Sequence, residues 1–303
     1  MLLSRILAEA GVPDASYQIY REQAFDTLGL LASEIDQKIC SFLVGEKYLD
    51  LVTDRVTMLI VTKDLAEKFS KKSIGLCITE NPRLLFFHIH NYLAKNSDYI
   101  RKEMKTQIGK GTVISDKAVI ADSNVIIGNN VIIEEFVVIR SNTVIGDNSV
   151  IRAGAKIGGE GFEFKRTGDD IEAVKHLGGV KIGKNVEIQY NSCIDRAVYP
   201  WDDTEIGDYC KVDNLVHIAH AVKVREKTMV VAQSGIGGRT IIGPDTWIGF
   251  SSTISNGLHI GENCRANIGA VVTKNVEKNK SVTGNFAIDH QRFIEDLKSK
   301  IKQ

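Results

Sequence analysis

Two histidines three residues apart, His217 and His220, are the strongest candidates for chemistry in this chain. They lie in the segment 212–220, which also holds the polar pair Asp213 and Asn214. An imidazole titrates near neutral pH, so it can accept a proton from a nucleophile while a bond forms. The spacing also resembles that of metal ligands, but two histidines with no third ligand do not make a tetrahedral zinc site. The plainer interpretation of His220 is a polar residue on an outer surface.

Aromatic side chains collect in two further segments, 158–179 and 196–204, which interrupt the regular pattern of the sequence around them. Loops that leave a rigid scaffold are common places for binding residues. We therefore predict that these segments contact a ligand, and the alternative is that they are decorative insertions. The side chains predicted to make the contacts are Phe162, Phe164, Tyr199, Trp201 and Asp202.

The elements that must position these residues repeat every six residues. An aliphatic residue stands at every sixth position from Ile206 to Ile260, and a small or β-branched residue usually follows four places later. An earlier series with the same repeat runs from Ile127 to Ile157. A helix repeats its apolar face every 3.6 residues and an exposed sheet every two, whereas a period of six is typical of parallel β-helices. Each hexapeptide is then one short strand and a corner, and three of them make a triangular turn.

The two ends of the chain lack this repeat. Strand-forming residues at Leu49–Thr53 and Val56–Thr62, and a helical apolar pattern at Pro82–Lys95, predict a small α/β domain. Near the C-terminus the apolar residues fit one face of a helix, and that face requires a partner. These apolar residues are Ile288, Phe293, Ile294, Leu297 and Ile301. The predicted domains are residues 1–100, 101–284 and 285–303.

Composition excludes several classes of function. The 303 residues include 38 basic and 38 acidic side chains, and a net charge of zero gives no general surface for nucleic acid or membrane. Five cysteines in no metal-type pattern predict buried thiols in a reducing compartment, with Cys210 and Cys264 at inward positions of the repeat. No apolar run is long enough for a membrane span and the first residues do not resemble a signal peptide, so we expect a cytoplasmic protein.

Several segments, taken together and in order, resemble UDP-3-O-acylglucosamine N-acyltransferase, an enzyme of the lipid A pathway, over roughly residues 35 to 275. The hexapeptides alone are shared by many acyltransferases, but the joint occurrence of these segments is specific. The segments are 42–48, 159–164, Ile194-Asp195-Arg196, Asp202-Asp203-Thr204 and 212–220.

The resemblance implies a left-handed parallel β-helix that forms a homotrimer. It implies transfer of an acyl group from a thioester to the amino group of a nucleotide-linked sugar, with no tightly bound cofactor. His220 stands at the family's catalytic histidine and would act as general base, while Asp213 and Asn214 match neighbouring family positions and would orient the base or the sugar. His217 is a weaker candidate, because it is expected on another side of a corner.

The resemblance also places the nucleotide, and here the sequence departs from the family. A Phe, an Asn and a Tyr hold the uracil base in the family; Phe42 and Tyr48 match, but Gly45 stands where the Asn belongs. Stacking survives while one hydrogen bond to the base is lost, so a thymidine nucleotide could replace uridine. The family's second active-site histidine follows an Asn-Gly pair, whereas Leu258 occupies that place here.

Two enzymes fit these features. The first is a nucleotide-amino-sugar N-acyltransferase of O-antigen or capsule synthesis that uses a short acyl-CoA, and the short C-terminal helix favours it. The second is the lipid A enzyme itself, which receives a 3-hydroxyacyl group from acyl carrier protein. A zinc carbonic anhydrase and a non-catalytic scaffold, both known uses of such β-helices, are the alternatives from other classes.

Overall fold

The computed structural model describes residues 1–69, 73–95, 98–284 and 287–301. The chain forms two compact units. The first contains residues 1–105 together with the two aromatic insertions, 160–179 and 196–203, and the second contains residues 106–159, 180–195 and 204–303. The sequence assigned both insertions to the β-helix, whereas in the structure they belong to the first unit.

The first unit is an α/β domain built on a five-stranded sheet. In sheet order the strands are Gln18–Arg21, Gly75–Ile78, Val56–Val61, Ile39–Leu43 and Thr27–Leu28. The first pair is antiparallel and the others are parallel. The α-helices are Leu3–Glu9, Lys63–Ala66 and Pro82–Leu93, and the 3₁₀ helices are Asp14–Ser16, Glu46–Leu51 and Glu67–Phe69. The strand predicted at Leu49–Thr53 is wrong, because most of that segment continues a 3₁₀ helix.

The insertions complete the core of the first unit. Residues 164–173 form a hairpin of strands Phe164–Thr167 and Asp170–Ala173. Val174, Val198 and Tyr199 are buried in the same apolar cluster as Phe86 of the helix Pro82–Leu93. Burial of this apolar surface stabilises the first unit, so the insertions are structural parts of the domain.

A buried histidine joins that helix to the first insertion. His90 Nε2 lies 2.9 Å from the carbonyl oxygen of Lys175, and Nδ1 lies 3.0 Å from the hydroxyl of Tyr99. A carbonyl oxygen only accepts, so Nε2 carries the proton and Nδ1 accepts from the tyrosine. Burial lowers the pKa of His90 to about 4, and the imidazole is therefore neutral at physiological pH.

The second unit is a parallel β-helix with three faces, each a sheet of short strands stacked one per turn. The strands of the first face are Val113–Ile114, Ile132–Ile133, Val150–Ile151, Glu187–Ile188, Lys211–Val212, Met229–Val230, Trp247–Ile248, Arg265–Ala266 and Ser281–Val282. The strands of the second face are Val119–Ile120, Val138–Ile139, Lys156–Gly159, Cys193–Asp195, His217–Ile218, Gly235–Ile236, Thr253–Ile254 and Val271–Val272. The strands of the third face are Gln107–Ile108, Val125–Ile127, Thr143–Ile145, Gly179–Ile182, Asp203–Ile206, Lys223–Val224, Ile241–Ile242 and His259–Ile260.

The six-residue repeat produces this geometry as predicted. The aliphatic ladder from Ile206 to Ile260 is buried in one continuous core, together with the predicted inward thiols Cys210 and Cys264. The small residues that follow four places after each aliphatic residue form hydrogen bonds to the next turn. The hydroxyl of Ser234, for example, donates to Gly249 O at 2.8 Å. The first strand of the third face departs from this pattern of burial, since Ile108 is exposed.

Most corners of the β-helix contain a residue with positive φ. Asparagine tolerates this left-handed conformation, and it occupies corners such as Asn130 and Asn148. Larger residues do so too, including Leu215 and Ala221. Parallel strands pair these corners with the turns on either side, which stabilises a conformation that costs energy in an isolated chain.

The C-terminal helix spans His290–Ile301, so the predicted helix begins later than expected and Ile288 precedes it. Phe293 and Leu297 are exposed, and Ile294 is half-buried. The side chain of Ile301 lies outside the described residues. Within the described part of the chain, no helix has the length and apolar character needed to cross a membrane.

Candidate active site

His220 lies at the corner between the second and third faces. It follows the strand His217–Ile218 and precedes Ala221, whose φ of 59° turns the chain toward the third face. The corner is fixed by two hydrogen bonds: Ala221 N donates to Thr204 Oγ1 at 2.8 Å, and Arg239 N donates to His220 O at 2.9 Å. The side chain is buried, with His220 only 7% exposed.

A glycine one turn later makes room for the imidazole. A Cβ on Gly238 would lie 2.6 Å from Cε1 and 2.7 Å from Nε2 of His220. Both distances are shorter than real Cβ contacts, so the ring lies directly against the backbone of Gly238. This position accepts glycine alone without movement of the imidazole.

His217 lies on the second face and has a carboxylate partner. Its Nε2 is 2.9 Å from Asp195 Oδ2, on the strand below. The hydrogen bond to Asp195 raises the pKa of His217, and partial burial opposes this only in part. Asp195 is buried, whereas the side chain of His217 is 52% exposed. A carboxylate that holds one ring nitrogen of a half-exposed imidazole is a usual arrangement for a histidine that handles protons or donates to a substrate.

Small residues flank His217 on the neighbouring strands. Cys193 is its partner below and Gly235 its partner above. A Cβ on Gly235 would meet nothing within 4 Å, so the face is open there. Burial and the nearby Asp195 raise the pKa of Cys193, so this thiol is a poor nucleophile at neutral pH.

Asp213 and Asn214 lie at a different corner from His220, the one between the first and second faces. The two carboxylate oxygens of Asp213 accept from Asn214 N at 2.7 Å and Ala232 N at 3.1 Å. The side-chain oxygen of Asn214 accepts from Tyr190 N at 3.1 Å. Asp208 makes a similar bond to backbone at another corner. These side chains stabilise the corner, and their predicted role toward the base or the sugar stays a prediction.

The residues predicted to bind the nucleotide occupy one strand end and the helix that follows it. The Phe42 ring packs against Phe86, with ring centroids 4.9 Å apart, and is half-buried. Gly45 is extended, with φ of −175°, so its position does not require glycine. Tyr48 is exposed on the 3₁₀ helix Glu46–Leu51. Lys47 Nζ lies 4.9 Å from the centroid of the Tyr48 ring, so part of this exposed aromatic surface already has a cationic neighbour, whereas Phe42 contacts the core.

The aromatic insertions differ in how much they could offer a ligand. Tyr199 is buried and stacks on Trp201, whose indole N–H donates to Leu28 O at 2.8 Å. Asp202 uses a side-chain oxygen to accept from Asp203 N and is half-buried. These three residues have structural contacts in the first unit. The Phe162 and Phe164 rings are 4.9 Å apart, and Phe162 is 88% exposed, so this pair could contact a partner.

Sequence reasoning did not find the contact between Asp195 and His217. Both residues stood in segments that carried the family resemblance, but the insertion at 196–203 separates them, so no regular spacing joined them. Leu258, at the family's second histidine position, is half-buried and cannot donate or accept a proton. In the part of the chain that the structure describes, no three His, Cys, Asp or Glu side chains are grouped to hold a metal ion.

Comparison with known proteins agrees with the repeat architecture. Residues 124–159 match the family model described as bacterial transferase hexapeptide, six repeats. A solved UDP-N-acetylglucosamine acyltransferase from Campylobacter jejuni is similar with a TM-score of 0.51 and 26% identity, over 56% of this chain and 64% of that one. A second, from Bacteroides fragilis, has a TM-score of 0.52 at 22% identity, over 62% and 69% of the two chains, and supports the fold alone. The predicted left-handed β-helix is confirmed.

Two curated relatives carry the same enzyme name. The chain is 35% identical over 158 residues to a UDP-3-O-acylglucosamine N-acyltransferase of Wolinella succinogenes, covering 50% of this chain and 49% of that protein. It is 39% identical over 155 residues to UDP-3-O-acylglucosamine N-acyltransferase 2 of Legionella pneumophila strain Lens, covering 50% and 45%. The chain thus spans about half the length of the curated relatives it matches. The resemblance to UDP-3-O-acylglucosamine N-acyltransferase that the sequence predicted is therefore confirmed over the matched half of the chain.

Proposed function

We propose that this protein is an acyltransferase that moves an acyl group from a thioester to the amino group of a UDP-linked amino sugar. The observation that carries the proposal is the similarity to UDP-3-O-acylglucosamine N-acyltransferases together with a histidine held in a glycine-lined corner of the β-helix. Histidine is the side chain best suited to remove a proton from an amine near neutral pH.

His220 acts as the general base in this proposal. The amine must be neutral to attack, because a protonated amine has no lone pair. Its nitrogen becomes positively charged as it bonds to the thioester carbon, and the base takes the proton that it then loses. Collapse of the tetrahedral intermediate expels the thiolate, and no covalent enzyme intermediate is required. Contact with Gly238 holds the ring in one orientation, and fixed positions of base, amine and thioester contribute much of the rate enhancement.

The acceptor follows from the relatives' names, and the donor from the choice between the two enzymes that the sequence left open. Although the sequence favoured a short acyl-CoA donor, the names of the curated relatives favour the second enzyme, with UDP-3-O-acylglucosamine as acceptor. The names do not give the donor, and we propose a 3-hydroxyacyl carrier protein because the family resemblance implies that donor for the second enzyme. Comparing amide formation from acyl carrier protein and from acyl-CoA, each with UDP- and dTDP-linked sugars, separates the two enzymes.

The nucleotide base is assigned to the first unit. The exposed ring of Tyr48 can stack on a base, and stacking does not depend on the hydrogen bond that Gly45 lacks. The half-buried Phe42 would support that surface from the domain core.

The active unit is a homotrimer in this proposal. Five exposed apolar side chains follow the corner between the first and second faces, here called the apolar edge: Phe136, Tyr190, Leu215, Phe250 and Ile268. Exposed apolar surface of this extent is typical of an interface. Three copies around a three-fold axis would bury it, and a closed ring satisfies every copy equally. Asp213 and Asn214 at the same corner would then face a neighbouring subunit.

The test of the catalytic assignment is His220→Ala. Amide formation from UDP-3-O-acylglucosamine, followed by mass spectrometry, should fall by about 100-fold or more, the usual contribution of a general base. Light scattering should give the same assembly as the wild type. His259→Gln is the matched control, because this histidine is exposed on the third face. Turnover of His220→Ala within a few-fold of the wild type would contradict the assignment and favour a scaffold.

A further inference from the structure

The pair formed by Asp195 and His217 is a second titratable group on the β-helix that the proposed function leaves unused. The buried carboxylate holds Nε2 of an imidazole that is itself half exposed on a flat face. His217 lies on the strand that leads directly into the corner of His220, three residues away along the chain. A span of three residues is at most about 10 Å, which is within the size of one substrate.

Among the groups on the neighbouring strands, Asp195 is the one that favours the protonated form of His217. The strand below contributes Asp195 and the thiol Cys193, and the strand above contributes the uncharged Gly235. Lys156 lies on the strand beneath Cys193 and is exposed. The hydrogen bond to Asp195 is the main cause that raises the pKa of His217. When the ring is protonated, both nitrogens carry hydrogen, so Nδ1–H can donate while Nε2–H stays with Asp195.

We propose that His217, positioned by Asp195, donates a hydrogen bond from Nδ1 to the thioester oxygen as that oxygen becomes negative during acyl transfer. The inference rests on the proposed N-acyltransferase function and names a group that reaction requires. Preorganised donors aimed at a developing oxyanion are commonly the largest electrostatic contribution to such reactions. The open space beside Gly235 leaves room for a ligand against the ring.

The step balances without transfer of a proton from His217. The amine nitrogen bonds to the thioester carbon, and the carbonyl electron pair moves to oxygen, where it accepts the hydrogen bond from Nδ1. His220 takes the proton that nitrogen loses. When the C–S bond breaks, the carbonyl re-forms, and the thiolate receives its proton from His220 or solvent.

Two histidines in these roles predict a bell-shaped pH dependence with a separate origin for each limb. His220 must be neutral to accept a proton, so it sets the acidic limb. His217 must be protonated to donate, so it sets the alkaline limb. Asp195→Asn removes the interaction that raises the pKa of His217, and the alkaline limb should therefore move to lower pH while the acidic limb is unchanged.

The experiment measures kcat and KM against pH for the wild type, Asp195→Asn, His217→Ala and His217→Gln, with His259→Gln as control. His217→Ala should lower kcat by about 100- to 1,000-fold, as loss of an oxyanion donor does, with a smaller change in KM. His217→Gln keeps a donor that does not titrate, so it should retain more activity than His217→Ala and lose the alkaline limb. A purely structural role would lower activity without moving that limb.

The outcomes separate this inference from the proposed function. A wild-type protein that forms no amide from any donor and acceptor overturns the proposed function and this inference with it. An active wild type whose alkaline limb is the same in Asp195→Asn and His217→Gln, or whose kcat is little changed in His217→Ala, overturns this inference alone. Because His217 is half exposed, its two variants should fold even if Asp195→Asn does not.

Discussion

Substitution of Gly238 by alanine tests the position of the proposed base without changing the base itself. The added Cβ would lie 2.6 Å from Cε1 of His220, whereas ordinary contacts begin at 3.4 Å. The ring must therefore move by roughly 1 Å, since the neighbouring backbone is held by the strand ladder and cannot yield as easily. A misplacement of about 1 Å in an active site can reduce the rate about 100-fold, equivalent to about 2.7 kcal/mol in the activation barrier.

The assay is the initial rate of amide formation for Gly238→Ala beside its thermal unfolding midpoint. We expect the loss in kcat, with little change in stability because the clash involves the end of a side chain. Gly159→Ala is the matched control, since a Cβ there meets nothing within 4 Å. Gly237→Ala is the opposite control: its Cβ would lie 2.5 Å from the backbone N of Asn256, so stability should fall. If Gly238→Ala folds and turns over within a few-fold of the wild type, the imidazole of His220 does not need its observed position.

Three further predictions concern other parts of the molecule. Tyr48→Ala should weaken binding of the nucleotide sugar by about 1 kcal/mol, a typical contribution of an aromatic contact, and an unchanged calorimetric Kd would count against the assigned nucleotide site. Leu215→Asp should place a charge on the apolar edge and dissociate the proposed trimer, which light scattering would detect; a trimer that persists would exclude this edge from the interface. Burial of the neutral His90 ring makes the first unit most stable at pH values above about 6.5, the pKa of histidine in an unfolded chain. Because the folded pKa is about 4, up to about 3 kcal/mol of that stability is lost between pH 6.5 and 4. Urea unfolding should show this loss in the wild type and a smaller one in His90→Gln.

The β-helix could be predicted from the sequence because the six-residue repeat that defines it is a local pattern. Every sixth side chain points inward, so the identity of the buried residues from Ile206 to Ile260 can be deduced from spacing alone. The helix Pro82–Leu93 and the strand Val56–Val61 were predicted for the same reason, since each has its own apolar periodicity. Leu49–Thr53 was misassigned because β-branched and aliphatic residues in a short segment suit a strand and a 3₁₀ turn equally.

The insertions show where local rules end. Their aromatic residues looked like ligand contacts, yet Tyr199 and Trp201 pack into the first unit. A buried aromatic side chain and a binding aromatic side chain have the same signature in a sequence. Only the position of the surrounding chain distinguishes them.

The sequence by itself determined the repeat, the inward ladder, the likeness to a family of acyltransferases and the place of His220 at a corner. Only the tertiary structure decided that Asp195 holds His217, that Gly238 supports the imidazole of His220, and that Asp213 and Asn214 lie at another corner. The physical reason is that such contacts join different turns of the β-helix. An insertion such as 196–203 changes the number of residues between two turns without changing which strands are neighbours, so the distance along the chain no longer reports the distance in space.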